Sequence, residues 1–180
     1  AEYVVAVDAS SKMLEEATNL TNDSCIAYVH SPMEQYVIPN QSFDLIVSSM
    51  ALHYVSDYHA VVTHVFEGLK NGGSFVFSVE HPVCTANPTG WVLNESGDFL
   101  YWSLDHYQEE GQRHVKWFVE GIEKHHRTIQ TYVSGLLEAG FQITALREPS
   151  PTSEALRQRP DMLQNLRRPP VLLLAALKQN

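Results

Sequence analysis

Short apolar runs alternate with segments of helical period along the chain. Residues 3–8 are a β-branched apolar run that predicts a strand. The next apolar positions, Met13, Leu14, Ala17 and Leu20, fall on one helical face, with Ser10 or Ser11 as its cap. The same patterns predict strands at 25–30, 43–48, 74–80, 141–148 and 170–178, a helix near 57–70 ended by Gly72-Gly73, and a helix over 129–137 closed by Gly140.

This alternation of strands and helices predicts an α/β fold, with a doubly wound, mostly parallel sheet. Residues 43–48 read FDLIVS, and this continuous apolar run predicts a strand buried on both faces. The short final strand after Pro169-Pro170 is expected to pair antiparallel with 141–148 at one edge of the sheet.

One segment, residues 82–126, lacks any clean period. It contains all three tryptophans, Trp91, Trp102 and Trp117, together with Phe99, Tyr101, Tyr107 and Phe118. Because a structureless loop of this length is unusual inside a compact domain, we expect a lid or cap with short elements of its own. The alternative is that its aromatic side chains only pack the segment against the body.

Composition limits the classes of function. A chain of 180 residues is the size of a single domain, here 1–180, and its net charge of −9 argues against nucleic acid as a partner. No run approaches the roughly 18 apolar residues that span a bilayer, so no membrane partner is expected. Cys25 and Cys84 have no metal-type spacing and are expected to be reduced thiols of a cytoplasmic protein, although one disulfide remains open.

The carboxyl ends of the predicted strands carry the candidate chemistry, because ligands of parallel α/β sheets bind there. Asp8 ends the first strand and suits two ribose hydroxyls, or else a helix cap. Met33 and Glu34 follow the second strand and are placed to flank a flat ring. His53 and His81 follow the third and fourth strands, where a substrate would meet a cofactor.

Two stretches of the chain read VVAVDASSKMLEEA and SFDLIVSSMALHYVSDYHAVVTHVFEGLKNGGSFVFSVEHP. Together they resemble the class I S-adenosylmethionine-dependent methyltransferases of small molecules, with LKNGG where the family has LKPGG. The resemblance covers residues 2–82 well, and residues 127–180 match the closing helix and antiparallel strand pair more loosely. It implies a Rossmann-like fold and S-adenosylmethionine as the cofactor.

The family's first strand, its glycine-rich loop and the following helix have no counterpart here, since none of the nine glycines makes a G-x-G pattern. The resemblance places these elements before residue 1. We therefore expect an N-terminally truncated methyltransferase domain, in which the first strand and helix of the fold are absent.

The resemblance also implies roles for individual residues. Asp8 would bind the ribose hydroxyls, and Pro32 stands where the family often has an adenine-binding Asp. His53 would border the transferred methyl group. The remaining cofactor-binding positions would be Ala9 and Met13 at the ribose and adenine, Met33 and Glu34 along the adenine edge, and Ser48 and Ser49 near the methionine part.

Methyl transfer is a displacement at an activated carbon, so a general base helps only a protonated acceptor. His53 is the first choice for that catalytic role and His81 the second. We expect no metal site. The acceptor is expected to be a small molecule with apolar walls from Trp91, Trp102 and Trp117. Its polar contacts are expected from Tyr107, His125, His126 and Arg127.

Three alternatives stay open. The segment 82–126 suits a homodimer interface as well as a lid. An acid after a strand also suits an NAD-type Rossmann oxidoreductase, and the missing glycine loop suits a non-catalytic binding domain.

Overall fold

The computed structural model describes residues 1–21, 23–87, 89–115 and 122–179. Trp117 and Phe118, named above among the aromatic residues of the lid segment, lie outside these ranges.

Ten strands and five α-helices are described. The strands are β1 Val4–Asp8, β2 Ile26–His30, β3 Phe43–Ser49, β4 Leu69–Glu80, β5 Trp91–Leu93, β6 Phe99–Trp102, β7 Gly111–Val115, β8 Ile122–His126, β9 Phe141–Arg147 and β10 Val171–Lys178. The helices are α1 Ser11–Leu20, α2 Tyr58–Gly68, α3 Pro82–Thr85, α4 Ile129–Glu138 and α5 Ser153–Gln158, with 3₁₀ turns at Leu52–Tyr54 and Pro160–Leu166.

The larger sheet has the strand order β3-β4-β10-β9, and β1 pairs with β2 in a separate parallel pair. β3 and β4 are parallel, while β10 runs antiparallel to both β4 and β9. The predicted antiparallel pair of the last two strands is therefore confirmed, with β9 at the edge. The molecule has the α/β, Rossmann-like fold that the alternation and the resemblance indicated.

Side-chain caps begin the main helices where the sequence predicts them. The Ser10 hydroxyl accepts the amide of Met13 at 3.3 Å, and the Asp57 carboxylate accepts the amide of Ala60 at 2.9 Å. Such caps satisfy backbone donors that have no partner inside the helix. α1 thus starts directly beyond the end of β1, whereas α2 follows β3 after the 3₁₀ turn at Leu52–Tyr54.

The end of α2 differs from the sequence-based expectation. The helix ends at Gly68, and Leu69 already belongs to β4. A Cβ at Gly68 would lie 2.2 Å from the Ile38 side chain, so only glycine allows this close approach. Gly72, with a φ of 78°, lies in the strand segment where the β3–β4 register shifts, rather than at a helix end.

The core lies between α2, α4 and one face of the larger sheet. Its buried members include Phe75, Phe77, Leu172 and Leu174, which alternate along β4 and β10. Tyr58 of α2 and Tyr132 of α4 meet edge to face, and the Tyr58 hydroxyl donates to the Tyr132 carbonyl at 2.8 Å. This packing fixes the sheet ends that carry the candidate residues.

The expectation that β3 is buried on both faces is wrong for the described residues. Leu45 and Val47 are 54% and 62% exposed, whereas Ile46 on the opposite face packs against the core. The physical reason is that only the face of β3 that carries Ile46 packs against the core, while the face that carries Leu45 and Val47 is open to solvent. Its continuous apolar run therefore overstates the burial in this structure.

The segment 82–126 contains α3 and two antiparallel hairpins, β5–β6 and β7–β8. Trp91 and Trp102 are cross-strand partners in the first hairpin, with ring centroids 5.4 Å apart. Within the described ranges, no helix has the length and apolar character needed to cross a membrane.

Candidate functional site

Asp8 lies half-buried at the carboxyl end of β1. Its Oδ1 accepts the amide of Ser10 at 2.7 Å and so fixes the turn into α1. No described residue forms a hydrogen bond to its other oxygen, Oδ2. The carboxylate therefore shapes the turn and still presents an acceptor.

The residues around Asp8 follow from the parallel pairing of β1 and β2, in which Asp8 is the register partner of His30. His30 Nε2 lies 3.0 Å from the carbonyl of Ala9, which holds the loop after β1 against β2. Met13, on the first turn of α1, is 59% exposed. Ala9 is exposed as well.

The loop after β2 reaches the body of the protein. Met33 is half-buried and packs against the core, whereas Glu34 is exposed. Burial and the charge of Arg127 lower the pKa of His125 in β8, whereas the carboxylates of Glu123 and Glu34 oppose this.

The end of β3 holds an unusual hydroxyl. The Ser48 Oγ is buried and has no hydrogen-bond partner. Ser49 is exposed, and Met50 follows with a φ of 52° while its amide donates to the Ser78 carbonyl of β4 at 2.9 Å. Since buried hydroxyls are normally paired, the Ser48 side chain is suited to a partner from outside the chain.

His53 and Glu80 bring the ends of β3 and β4 together. His53 lies in the 3₁₀ turn after β3, is 2% exposed, and accepts the Glu80 amide at Nδ1 over 3.3 Å. Burial, with the charges of Lys124 and Arg127, lowers the pKa of His53 to about 4. With Nδ1 as the acceptor, the neutral ring carries its proton on Nε2.

His81 is buried, and both of its ring nitrogens are hydrogen-bonded. Nδ1 accepts the Val83 amide at 3.1 Å and thereby caps α3, while Nε2 lies 2.8 Å from Glu148 Oε1. Burial lowers the pKa of His81, although Glu148 opposes this. A catalytic role for His81 stays a prediction, and it would require the ring to leave one of these partners.

A cavity of about 130 Å³ opens directly beyond β4, and we call it the β4-end cavity. Glu80 and Lys124 form an ion pair at 2.5 Å in its wall, with side chains 26% and 6% exposed. Trp102 forms another part of the wall, and its indole nitrogen donates to the Val83 carbonyl at 2.8 Å. The complete lining is Glu80, Cys84, Thr85, Asn87, Gly90, Trp102, Arg113 and Lys124.

Three polar residues that the sequence assigned to a bound small molecule contact the protein itself. The buried His126 lies 2.7 Å from the Thr85 hydroxyl and 2.9 Å from the Tyr107 carbonyl. The Tyr107 hydroxyl accepts the Ile129 amide at 3.1 Å. The guanidinium of Arg127 donates to the carbonyls of Leu52, Val55 and Ser56. Arg127 therefore holds the end of β8 against the turn that carries His53, and His126 holds β8 against α3.

Sequence reasoning missed Glu80, Lys124 and Arg113. Glu80 directly precedes His81 in SVEHP, so the sequence could have predicted its position at a strand end. Lys124 gave no signal, because its partner is 44 residues away in the chain. In the described part of the chain, no group of three or more His, Cys, Asp or Glu side chains is arranged to hold a metal ion.

Comparison with protein-family models finds a methyltransferase domain over residues 1–77. This range contains β1 to β3, α2 and most of β4, and with them Asp8, Ser48 and His53. The β4-end cavity lies beyond it.

Relatives extend the similarity over the whole chain. A crystal structure of an S-adenosylmethionine-dependent methyltransferase from Mesorhizobium loti is 39% identical, with a TM-score of 0.90 over 98% of this chain and 81% of that one. A candidate S-adenosylmethionine-dependent methyltransferase from Listeria monocytogenes is 38% identical, with a TM-score of 0.92 over 100% and 82%. An uncharacterized protein of Haemophilus influenzae is 32% identical over 99% of this chain and 73% of its own length.

Proposed function

The chain belongs to the S-adenosylmethionine-dependent methyltransferases, and we propose that its methyl acceptor is a small molecule held in the β4-end cavity. The observation that carries the proposal is the cavity itself. It opens at the carboxyl end of β4, where ligands of parallel α/β sheets bind. The relatives do not support the alternative of an NAD-type oxidoreductase.

The residues present fit the cofactor, S-adenosylmethionine. We assign Asp8 to the ribose because its Oδ2 is available as an acceptor beyond the turn that Oδ1 fixes. The unpaired hydroxyl of Ser48 fits a polar group of the methionine part. Ala9, Met13, Met33, Glu34 and Ser49 remain assigned to the surroundings of the adenosine and methionine parts.

When bound, S-adenosylmethionine supplies a methyl group that is already activated on a sulfonium. The protein must then hold the acceptor in line and exclude water. The Glu80–Lys124 ion pair makes one part of the cavity wall charged and polar, which suits a polar acceptor. Trp102 supplies a flat apolar part of the same cavity wall.

His53 is better suited to positioning than to removing a proton. In the tautomer set by the Glu80 amide, Nε2 carries a hydrogen and therefore donates. A ring with a pKa of about 4 is also a weak base at neutral pH. We propose that His53 aligns the ends of β3 and β4, and that the acceptor needs little help in losing a proton.

The segment 82–126 acts in this proposal as a lid over the acceptor. Its α3 and first hairpin supply Cys84, Thr85 and Trp102 to the cavity wall. The homodimer alternative rests on exposed apolar side chains of the same hairpin region, among them Leu100, Tyr101 and Leu104. A cytoplasmic location remains part of the proposal, and it is compatible with the free thiols of Cys25 and Cys84.

A pair of substitutions at Cys84 tests the acceptor site in the full-length protein. Cys84→Met adds bulk to the cavity wall, whereas Cys84→Ala leaves the space open. Small-molecule acceptors are screened by formation of S-adenosylhomocysteine. We expect Cys84→Met to raise the acceptor KM at least tenfold, with Cys84→Ala close to wild type and cofactor affinity equal in all three. Equal acceptor KM in both variants would overturn the assignment of the acceptor to this cavity.

A further inference from the structure

A second and larger cavity, of about 450 Å³, lies between the β5–β6 hairpin and the segment that precedes β10. Trp91 and Phe99 supply aromatic walls, and Gln164 and Arg168 supply polar ones. We call it the Arg168 cavity. The two cavities are neighbours, because the Trp102 ring lines the β4-end cavity and carries on its face the guanidinium of Arg168, which lines the larger cavity.

The guanidinium of Arg168 is held in place but lacks a polar partner. Its central carbon lies 4.2 Å from the Trp102 ring centroid and 5.9 Å from that of Trp91. Its Nε and Nη1 are buried without any hydrogen-bond partner. No carboxylate of the described residues forms an ion pair with it. Because a guanidinium keeps its charge and buried donors are costly when unpaired, this arrangement calls for an anion from outside the chain.

The neighbouring arginines are satisfied. Arg159 makes a two-pronged contact with Asp161 at 2.9 and 2.8 Å. Arg167 donates to two backbone carbonyls of β6 at 2.9 and 2.5 Å and lies over the Trp91 ring. Arg168 therefore differs from its neighbours in having a charge that the described protein does not meet.

The local charge also differs from that of the whole molecule. Four of the 12 Lys and Arg residues of a chain with net charge −9 lie within residues 157–168. Arg157 and Arg159 are balanced by Glu154 and Asp161, which leaves the charges of Arg167 and Arg168 without a carboxylate among the described ion pairs. A concentration of positive charge beside a cavity with apolar walls attracts small anions. The charge balance thus favours an anionic ligand here, although the protein as a whole is acidic.

We infer that the Arg168 cavity binds a carboxylate of the methyl acceptor, with a flat apolar part of the same molecule beside Trp91 and Phe99. This inference rests on the proposed function, because it names the class of acceptor for the neighbouring β4-end cavity. A single guanidinium matches a singly charged planar carboxylate. Asp161 also lines the cavity and disfavours an anion of higher charge.

Gln164 narrows the class further. Its Oε1 is buried without a hydrogen-bond partner and is an acceptor only. A ligand that satisfies it must bring a donor. The class of acceptor is therefore a small carboxylic acid that carries a flat apolar group and a hydroxyl or N–H.

Tryptophan fluorescence tests this inference without any need for turnover. Trp91 and Trp102 line or adjoin the Arg168 cavity. Benzoate, 3-hydroxybenzoate, neutral benzamide and inorganic phosphate are titrated into the full-length protein. We expect saturable changes with the two carboxylates, tighter binding of 3-hydroxybenzoate, and at least tenfold weaker binding of benzamide and phosphate. Equal affinity for benzoate and benzamide, equal or tighter binding of phosphate, or the absence of benzoate binding would overturn the inference.

Matched substitutions test the role of Arg168 itself. Arg168→Met removes the charge and should weaken benzoate binding at least tenfold. Arg157→Met removes an equal charge from the same region, where the exposed side chain pairs with Glu154, and should leave binding unchanged. Should Arg168→Met fail to fold by circular dichroism, Arg168→Lys keeps the charge without the planar stacking and should weaken binding at least threefold. Wild-type affinity in the folded Arg168 variant would overturn the inference.

A turnover assay with carboxylic acid acceptors separates this inference from the proposed function. An acid that is methylated with the same kcat/KM by wild type and Arg168→Met overturns the Arg168 assignment while small-molecule methylation stands. Benzoate binding that depends on Arg168 supports the anion site. If acceptor turnover is at the same time insensitive to Cys84→Met, the assignment of the acceptor to the β4-end cavity is overturned.

Discussion

The imidazole of His53 accepts the backbone amide of Glu80 at Nδ1, over 3.3 Å, and so joins the turn after β3 to the end of β4. These are the two strand ends at which the sequence placed candidate histidines. The contact assigns the ring proton of neutral His53 to Nε2, and the residue is only 2% exposed. His53 is therefore neutral in the folded protein, and the free energy of unfolding should depend on pH.

Stability should fall as the pH decreases from about 6.5 to about 4. Burial, with the nearby charges of Lys124 and Arg127, lowers the pKa of His53 from 6.5 to about 4, so in this window the unfolded chain binds a proton that the folded protein does not. The loss attributable to His53 is about 3 kcal/mol of unfolding free energy. Urea unfolding at a series of pH values measures it.

The matched variants are His53→Asn and the exposed-site control His64→Asn. His53→Asn should flatten the pH dependence, and His64→Asn should leave it unchanged. The comparison must be between slopes, because burial also lowers the pKa values of His81 and His126. A slope that His53→Asn does not alter would contradict the neutral, buried state of His53.

Two substitutions at Asp8 separate its structural contact from cofactor binding. Asp8→Asn keeps an oxygen for the Ser10 amide, whereas Asp8→Ala removes it. If Asp8 binds ribose hydroxyls, both substitutions weaken S-adenosylmethionine binding, and loss of the carboxylate costs on the order of 1–3 kcal/mol. Calorimetry on the full-length protein measures this. Unchanged affinity in both variants would remove Asp8 from the cofactor site.

Ser48→Ala should weaken cofactor binding without lowering stability. The Ser48 hydroxyl is buried and unpaired, so its removal relieves a desolvated group in the free protein. In the complex the same substitution removes a hydrogen bond, worth about 1 kcal/mol. Thermal unfolding with and without S-adenosylmethionine gives both quantities. Lower stability of the free Ser48→Ala protein would show that the hydroxyl has a structural partner.

Adjacent residues of β6 distinguish a lid from an assembly surface. Trp102 lines the β4-end cavity, while Tyr101 is its neighbour in the strand and is 57% exposed. Trp102→Ala should raise the acceptor KM and leave cofactor affinity unchanged, and Tyr101→Ser should change neither. Light scattering is the control. If Tyr101→Ser converts a dimer to monomers and the acceptor KM is unchanged in both variants, the hairpin is a dimer interface and not a lid.

Gly135→Ala should destabilise the protein although alanine favours helices. A Cβ at Gly135 of α4 would lie 2.6 Å from Tyr58 Cε1, so the buried Tyr58 ring would have to move. Such overpacking typically costs 1–3 kcal/mol, against a gain of about 1 kcal/mol in helix propensity. Chemical denaturation measures the difference, with Ser134→Ala as the neighbouring control. A stabilised Gly135→Ala variant would contradict the close α2–α4 contact.

The local pattern of the sequence was sufficient for the main elements. β1, β2, β3, α4, β9 and β10 lie within a few residues of their predicted positions, because apolar period and caps act between residues that are near in the chain. Asp8, His53 and His81 lie at strand ends for the same reason. The end of α2 was misplaced because the helix stops at Gly68 and the Gly72-Gly73 pair belongs to β4, a pairing with β3 that the local pattern does not show.

Tertiary structure alone decided which side chains are occupied by the protein and which are left for a ligand. Nothing in the sequence distinguishes Arg127 from Arg168. In the structure, Arg127 donates to three backbone carbonyls, whereas Arg168 lies on the Trp102 ring with two buried nitrogens unpaired. The exposure of Leu45 likewise depends on which face of β3 is covered. Such outcomes depend on contacts between residues tens of positions apart. Periodicity along the chain carries no information about them, because it records only which way each side chain points and not what it meets.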